Sequence, residues 1–121
     1  MKTLIRAFML ISVVLVAPVR AQDAFVLGLP DVPVMVGLAE DTDARLEFDK
    51  EQGRIVEVVL RGTHSPQAIL DYYREALPEL GWVLDLSKAD RLSLHRGDET
   101  LQLHADRHGR VGIVTISLSP K

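Results

Sequence analysis

Four histidines, His64, His95, His104 and His108, are the side chains of this chain best suited to proton transfer or metal binding near neutral pH. His104 and His108 stand four apart, the spacing at which two helical histidines clamp zinc. The residues around them alternate as a strand and its turn, however, and no glutamate follows the first. His95 and His104 fall on one face of a predicted hairpin, about two residue pairs apart on the diagonal. The expectation is solvated histidines on the polar side of a sheet. The rival reading is a small metal-dependent or hydrolytic enzyme using His95, His104 or His108.

Other chemistries find less support. With no cysteine in 121 residues, thiol nucleophiles and thiolate metal sites are impossible. Ser65, Ser93 and Ser117 lack the glycine-flanked elbow that exposes a nucleophilic serine, and Ser65 suits a helix cap instead. Asp41 and Asp43 open like a calcium loop, but the glycine and closing glutamate of that loop are missing at the expected spacing. No paired carboxylates sit in a recognisable glycosidase setting and no glycine-rich phosphate loop is present. No catalytic residue, metal ligand or cofactor is therefore assigned. Arg96, Gly97 and Asp98 spell an adhesion tripeptide, but a hairpin turn already accounts for Gly97 and Asp98.

The remaining candidate is a surface. Arg91, Ser93 and His95 alternate with leucines on one strand, as Thr100, Gln102 and His104 do on the next. In the predicted register Val111 and Ile113 point outward beside them. We take Arg91, His95, Gln102, His104, Val111 and Ile113 as a candidate binding face, polar without being uniformly charged. The alternative is that residues 22–43 cover it.

Of the elements that hold these residues, the helix has the clearest signals. Ser65 is a natural N-cap and Pro66 loses no useful donor at the first helical position. Ile69, Leu70, Tyr73, Ala76, Leu77 and Leu80 then recur at spacings of three and four, and Gly81 suits a left-handed exit that delivers Trp82 to the next strand. Pro78 predicts a kink, or a last loose turn over 78–80. Before the helix, residues 44–48 and 54–61 read as strands. A three-residue loop, 51–53, would set Phe48 against Val56, Leu46 against Val58, and Glu47 unfavourably against Glu57.

After the helix, residues 82–86 form a short strand and a hairpin follows. A Gly97-Asp98 turn pairs Leu94 with Leu101, Leu92 with Leu103, His95 with Thr100, Ser93 with Gln102 and Arg91 with His104. A four-residue loop, 106–109, would set Leu101 against Val114 and Leu103 against Gly112. The expected fold class is α+β: one main helix packed on a largely antiparallel sheet, in the order β-β-α-β-β-β-β.

The first residues carry an address. Lys2 and Arg6 precede an apolar run over 7–17 interrupted only by Ser12, and Val19 and Ala21 occupy the −3 and −1 positions of a cleavage site. Residues 1–21 read as a secretory signal peptide cleaved before Gln22, too short to remain as an anchor across a hydrocarbon core of about 30 Å. Its loss removes Lys2, Arg6 and Arg20 from 14 basic residues and nothing from 17 acidic ones, giving a mature net charge of −6. Such a balance disfavours nucleic acid and anionic membrane surfaces as partners. Residues 22–43, with Pro30 and Pro33, are expected to form an extended arm, whose Val32, Val34, Met35 and Leu38 pack along a single α+β domain over 44–121. The sharper reading is that the arm docks on a partner.

At Tyr72, Tyr73, Leu77, Gly81 and Trp82, and again at Leu29, Pro30, Asp31, Val32, Pro33, Gly37 and Leu38, the sequence resembles small exported bacterial proteins of unknown function. In these a Ser-Pro-capped helix ends in Gly-Trp and feeds a β-hairpin. The resemblance implies fold and compartment and brings no catalytic residue. The resulting expectation is a periplasmic binding or protein-interaction module, its partner an unknown envelope protein or small ligand.

Overall fold

The computed structural model describes residues 13–14, 24–29 and 31–121. The signal-peptide reading of residues 1–21 lies outside these apart from Val13 and Val14, as does the cleavage position at Gln22. Among the described residues no helix is long and apolar enough to cross a membrane. Among the described residues seven strands and one α-helix follow in chain order: β1 (Leu38–Glu40), β2 (Leu46–Lys50), β3 (Gly53–Gly62), α1 (Pro66–Glu79), β4 (Val83–Ser87), β5 (Arg91–Arg96), β6 (Glu99–His108) and β7 (Val111–Pro120). This is α+β with the sheet dominant, and it adds one short strand, β1, to the order read from sequence.

All pairings are antiparallel, in the order β1-β3-β7-β6-β5-β4, with β2 joining β3 alongside β1. Counting alternations along that order, β3 and β4 run in the same direction from opposite sides of the sheet, so α1 is the crossover between them. β4 to β7 then walk back as a meander until β7 meets β3.

The helix begins and ends as its residues dictate. Ser65 Oγ accepts from the Ala68 amide at 3.1 Å, with Pro66 just inside. At the other end the Trp82 amide donates to the Leu77 carbonyl, the Gly81 amide donates to Pro78, and Gly81 takes φ +93°. That paired closure is a Schellman motif, and its usual apolar contact is available because Leu77 and Trp82 are both buried. The helix runs through Pro78 to Glu79, and of the two expectations a loose last turn is the one met: the Leu80 amide reaches back only to Leu77 and the Gly81 amide only to Pro78. Pro78 lies in the last turn, where only the Arg74 carbonyl loses a donor and the closure replaces the missing bonds.

One face of the sheet receives the core. Val56, Val58 and Leu60 from β3, Leu92 and Leu94 from β5, Leu101 and Leu103 from β6, and Val114, Ile116 and Leu118 from β7 pack under Ile69, Leu70, Tyr73 and Leu77 of α1. The segment before β1 completes this layer. It is not the extended arm expected over 22–43: the chain doubles back, with Phe25 bridged to Pro33, the Val26 amide bonded to the Val32 carbonyl, and Val26, Leu29 and Val32 buried. Two side chains hold it there. The Tyr73 hydroxyl donates to the Pro33 carbonyl at 2.7 Å, and Trp82 Nε1–H donates to the Asp31 carbonyl at 3.3 Å. Trp82 is 3% exposed, and the Arg96 guanidinium lies over its ring at 4.5 Å while bonding Asp31 and the Leu80 carbonyl. Arg96 is thereby a clamp between loop, helix end and sheet.

Two registers differ from the sequence reading. The loop between β2 and β3 has two residues, because Lys50 pairs with Gly53, so Phe48 faces Ile55, Leu46 faces Glu57 and Glu47 faces Val56. A one-residue shift transfers Leu46 and Phe48 to the other face and separates the two glutamates. The apolar layer over that part of the core comes from the N-terminal loop instead. The β6–β7 turn is also tighter, with His108 opposite Val111, so Leu101 pairs with Leu118 and Leu103 with Ile116. This shift is even, so each residue keeps its face. Gly109 at φ +62° permits the two-residue turn. The β5–β6 pairings stand as read from sequence.

Candidate functional site

The second face of the sheet has a different composition, and the strand registers arrange its side chains as a grid. One row crosses six strands: Leu46, Glu57, Ser117, Gln102, Ser93 and Leu86 from β2, β3, β7, β6, β5 and β4. The row beside it carries Val59, Thr115, His104 and Arg91, and on the other side Thr100 pairs with His95 and His95 with Val83. The first row and the one through His95 are apolar at their β2 and β4 ends and polar in the middle, whereas the row through His104 ends at Arg91.

All six residues expected to form a binding face do lie on this side, because each alternates with a core residue on its strand. The structure does not gather them into one site. Arg91, Gln102 and His104 join Leu86, Ser93 and Ser117 around a depression of about 390 Å³. His95 lies one row beyond it. Val111 and Ile113 lie at the far end of β7, opposite His108 and Asp106, and Ile113 is only 9% exposed, which removes it as an accessible contact. A second hollow, about 500 Å³, lies against Phe25, Leu27, Gly28 and Arg54, and none of the six lines it.

Sequence reading missed Leu86. A bulge between Leu84 and Leu86 keeps Leu84 on the core side and turns Leu86 to the open face, a change of phase that a five-residue strand does not disclose. Asp85 in the bulge meets His95, its Oδ2 2.7 Å from Nδ1. A carboxylate only accepts, so Nδ1 carries the hydrogen of this bond.

Each hairpin histidine has its own acid rather than a shared centre. His95 pairs with Asp85, His104 sits 3.6 Å from Asp90, and His108 sits 3.7 Å from Asp106. His95 and His104 are two rows apart, about 13 Å along the strands. Among the described residues no group of three His, Asp or Glu side chains could hold a metal ion. The Asp90 carboxyl is held below its ordinary range, chiefly by its hydrogen bond from Arg91. The fourth histidine serves the fold: His64 Nε2 donates to the Val36 carbonyl at 2.7 Å and tethers the turn before β1.

Compared with protein-family models, curated proteins and solved structures, the chain finds no match.

Proposed function

We propose that this chain is an exported, periplasmic binding or protein-interaction module that works through the open face of its sheet. One observation carries the reading: helix and N-terminal loop are both spent on one face, while the other keeps a polar depression flanked by exposed Leu46, Phe48, Val83 and Leu86. A half-covered antiparallel sheet ordinarily presents polar, charged residues to water. Large apolar side chains beside a polar hollow instead suit a contact surface. The apolar run and cleavage pattern of residues 1–21 support export, and the mature charge of −6 favours a protein or small ligand over nucleic acid.

Two measurements test this. Expressed with its own leader, the protein should be recovered from the periplasm with Gln22 as its first residue by intact mass; intact protein in the cytoplasm contradicts export. Immobilised wild type should retain an envelope component that Gln102→Arg, which fills the depression, does not. Equal retention by both contradicts the face assignment.

A further inference from the structure

The open face is complementary to itself. We propose that its partner is a second copy of this chain, docked sheet to sheet about a two-fold axis parallel to the strands and passing between β6 and β7. This rests on the reading of that face as the working surface and names its occupant.

The grid supplies the argument. Rotation about such an axis keeps each row at its height and reverses the order of the strands. Leu46 then faces Leu86 of the other copy, and Phe48 faces Val83, so the apolar edges meet. These are 56%, 41%, 47% and 51% exposed in the single chain, and the contact would cover all four in each copy. In the middle, Ser117 meets Gln102 and Thr115 meets His104, polar against polar. The charged residues fall favourably too. Glu57 accepts from Ser117 Oγ at 3.3 Å and joins no ion pair among the described residues. It would face Ser93 of the other copy, one row from Arg91 and one from His95, while Leu46 beside it enters the depression over Leu86. The β2–β3 side thus offers a ridge with a carboxylate, and the β4–β5 side offers a hollow with the Arg91 guanidinium at its rim, beside Asp90. An isologous interface requires that both halves sit on one surface, as they do here.

Size sets the strength. Six columns spaced about 4.8 Å and three rows spaced about 6.7 Å give roughly 600 Å² per copy, below the ~800 Å² of a standard interface. Aligned sheet packing fits such a surface, and the expected dimer is of micromolar order.

Sedimentation equilibrium on protein purified after expression of the full chain tests the proposal. A reversible monomer–dimer equilibrium is expected, weakened about tenfold or more by Glu57→Arg and brought back to within about threefold of wild type by Glu57→Arg with Arg91→Glu. Circular dichroism melts on each variant establish that the fold survives. A protein still monomeric at about 1 mM overturns the proposal. So does a dimer indifferent to Glu57→Arg, or a charge-swapped double variant that stays monomeric. If the protein is monomeric but Gln102→Arg still abolishes retention of an envelope component, the self-association fails while the assignment of the face stands.

Discussion

The two faces of one sheet divide the labour of this molecule. On the packed face, alternate residues of β3, β5, β6 and β7 are aliphatic and close to fully buried, and among the described residues no buried side-chain nitrogen or oxygen lacks a partner, with Tyr73 bonded to Pro33 and Trp82 to Asp31. On the open face the same strands present serine, threonine, glutamine and histidine, with large apolar side chains at the β2 and β4 edges and again at Val59 of β3 and at Val111 and Ile113 where β7 begins. Stability resides in the first surface, and the second, which helix and N-terminal loop leave open, is the one proposed for recognition. The reason is that a β-strand sends neighbouring side chains to opposite sides, so one strand can serve both ends without compromise.

Substitutions can break this contrast. Trp82→Ala removes the residue that joins helix end, N-terminal loop and sheet, and should lower stability by about 3–5 kcal/mol in denaturant unfolding. Gly112→Ala should be costly for another reason: a Cβ there would strike the His64 carbonyl. Its expected loss is about 1–3 kcal/mol, and a variant as stable as wild type would mean that the β7 start does not approach the helix entry so closely.

Tyr73→Phe sharpens the contrast, because it alters one hydrogen bond without opening the core. A loss of about 1 kcal/mol at neutral pH is expected. Burial raises the Tyr73 phenol above its ordinary value, so the folded state holds that proton more tightly than the unfolded chain. Its contribution is intact below about pH 10 and declines as pH rises above that value. Alkaline melts should therefore show a shallower fall for Tyr73→Phe than for wild type. Ser65→Ala, which removes the cap on Ala68, should cost about 1 kcal/mol. At the small end, Gln102→Ala on the open face should change stability by less than about 0.5 kcal/mol. A large loss there would show that the open face also supports the fold.

Local chemistry made some features legible. Ser65-Pro66 and Gly81-Trp82 marked the helix ends, because caps are decided by a few adjacent atoms. The β5–β6 hairpin was readable because Gly97-Asp98 fixes the turn and the leucine alternation admits one register. The β2–β3 loop misled. Glu51, Gln52 and Gly53 permit loops of either two or three residues, and Phe48 and Leu46 invite burial that the structure does not give them. The candidate site was half legible: alternation placed Arg91, Gln102 and His104 on one face, but Leu86 depended on a bulge, and Ile113 on how much of it its neighbours cover.

By itself, then, the sequence determined the α+β class, the helix and its two caps, the polar and apolar sides of β5, β6 and β7, and the absence of any thiol chemistry. These follow from neighbours within a few residues or from composition. Only the tertiary structure decided which face the N-terminal segment covers. That depended on Asp31 and Pro33 meeting Tyr73, Trp82 and Arg96 across 40 to 65 residues of chain, a match of shape and hydrogen bonding that no local pattern encodes. By settling on the helix side, that segment left the other face open.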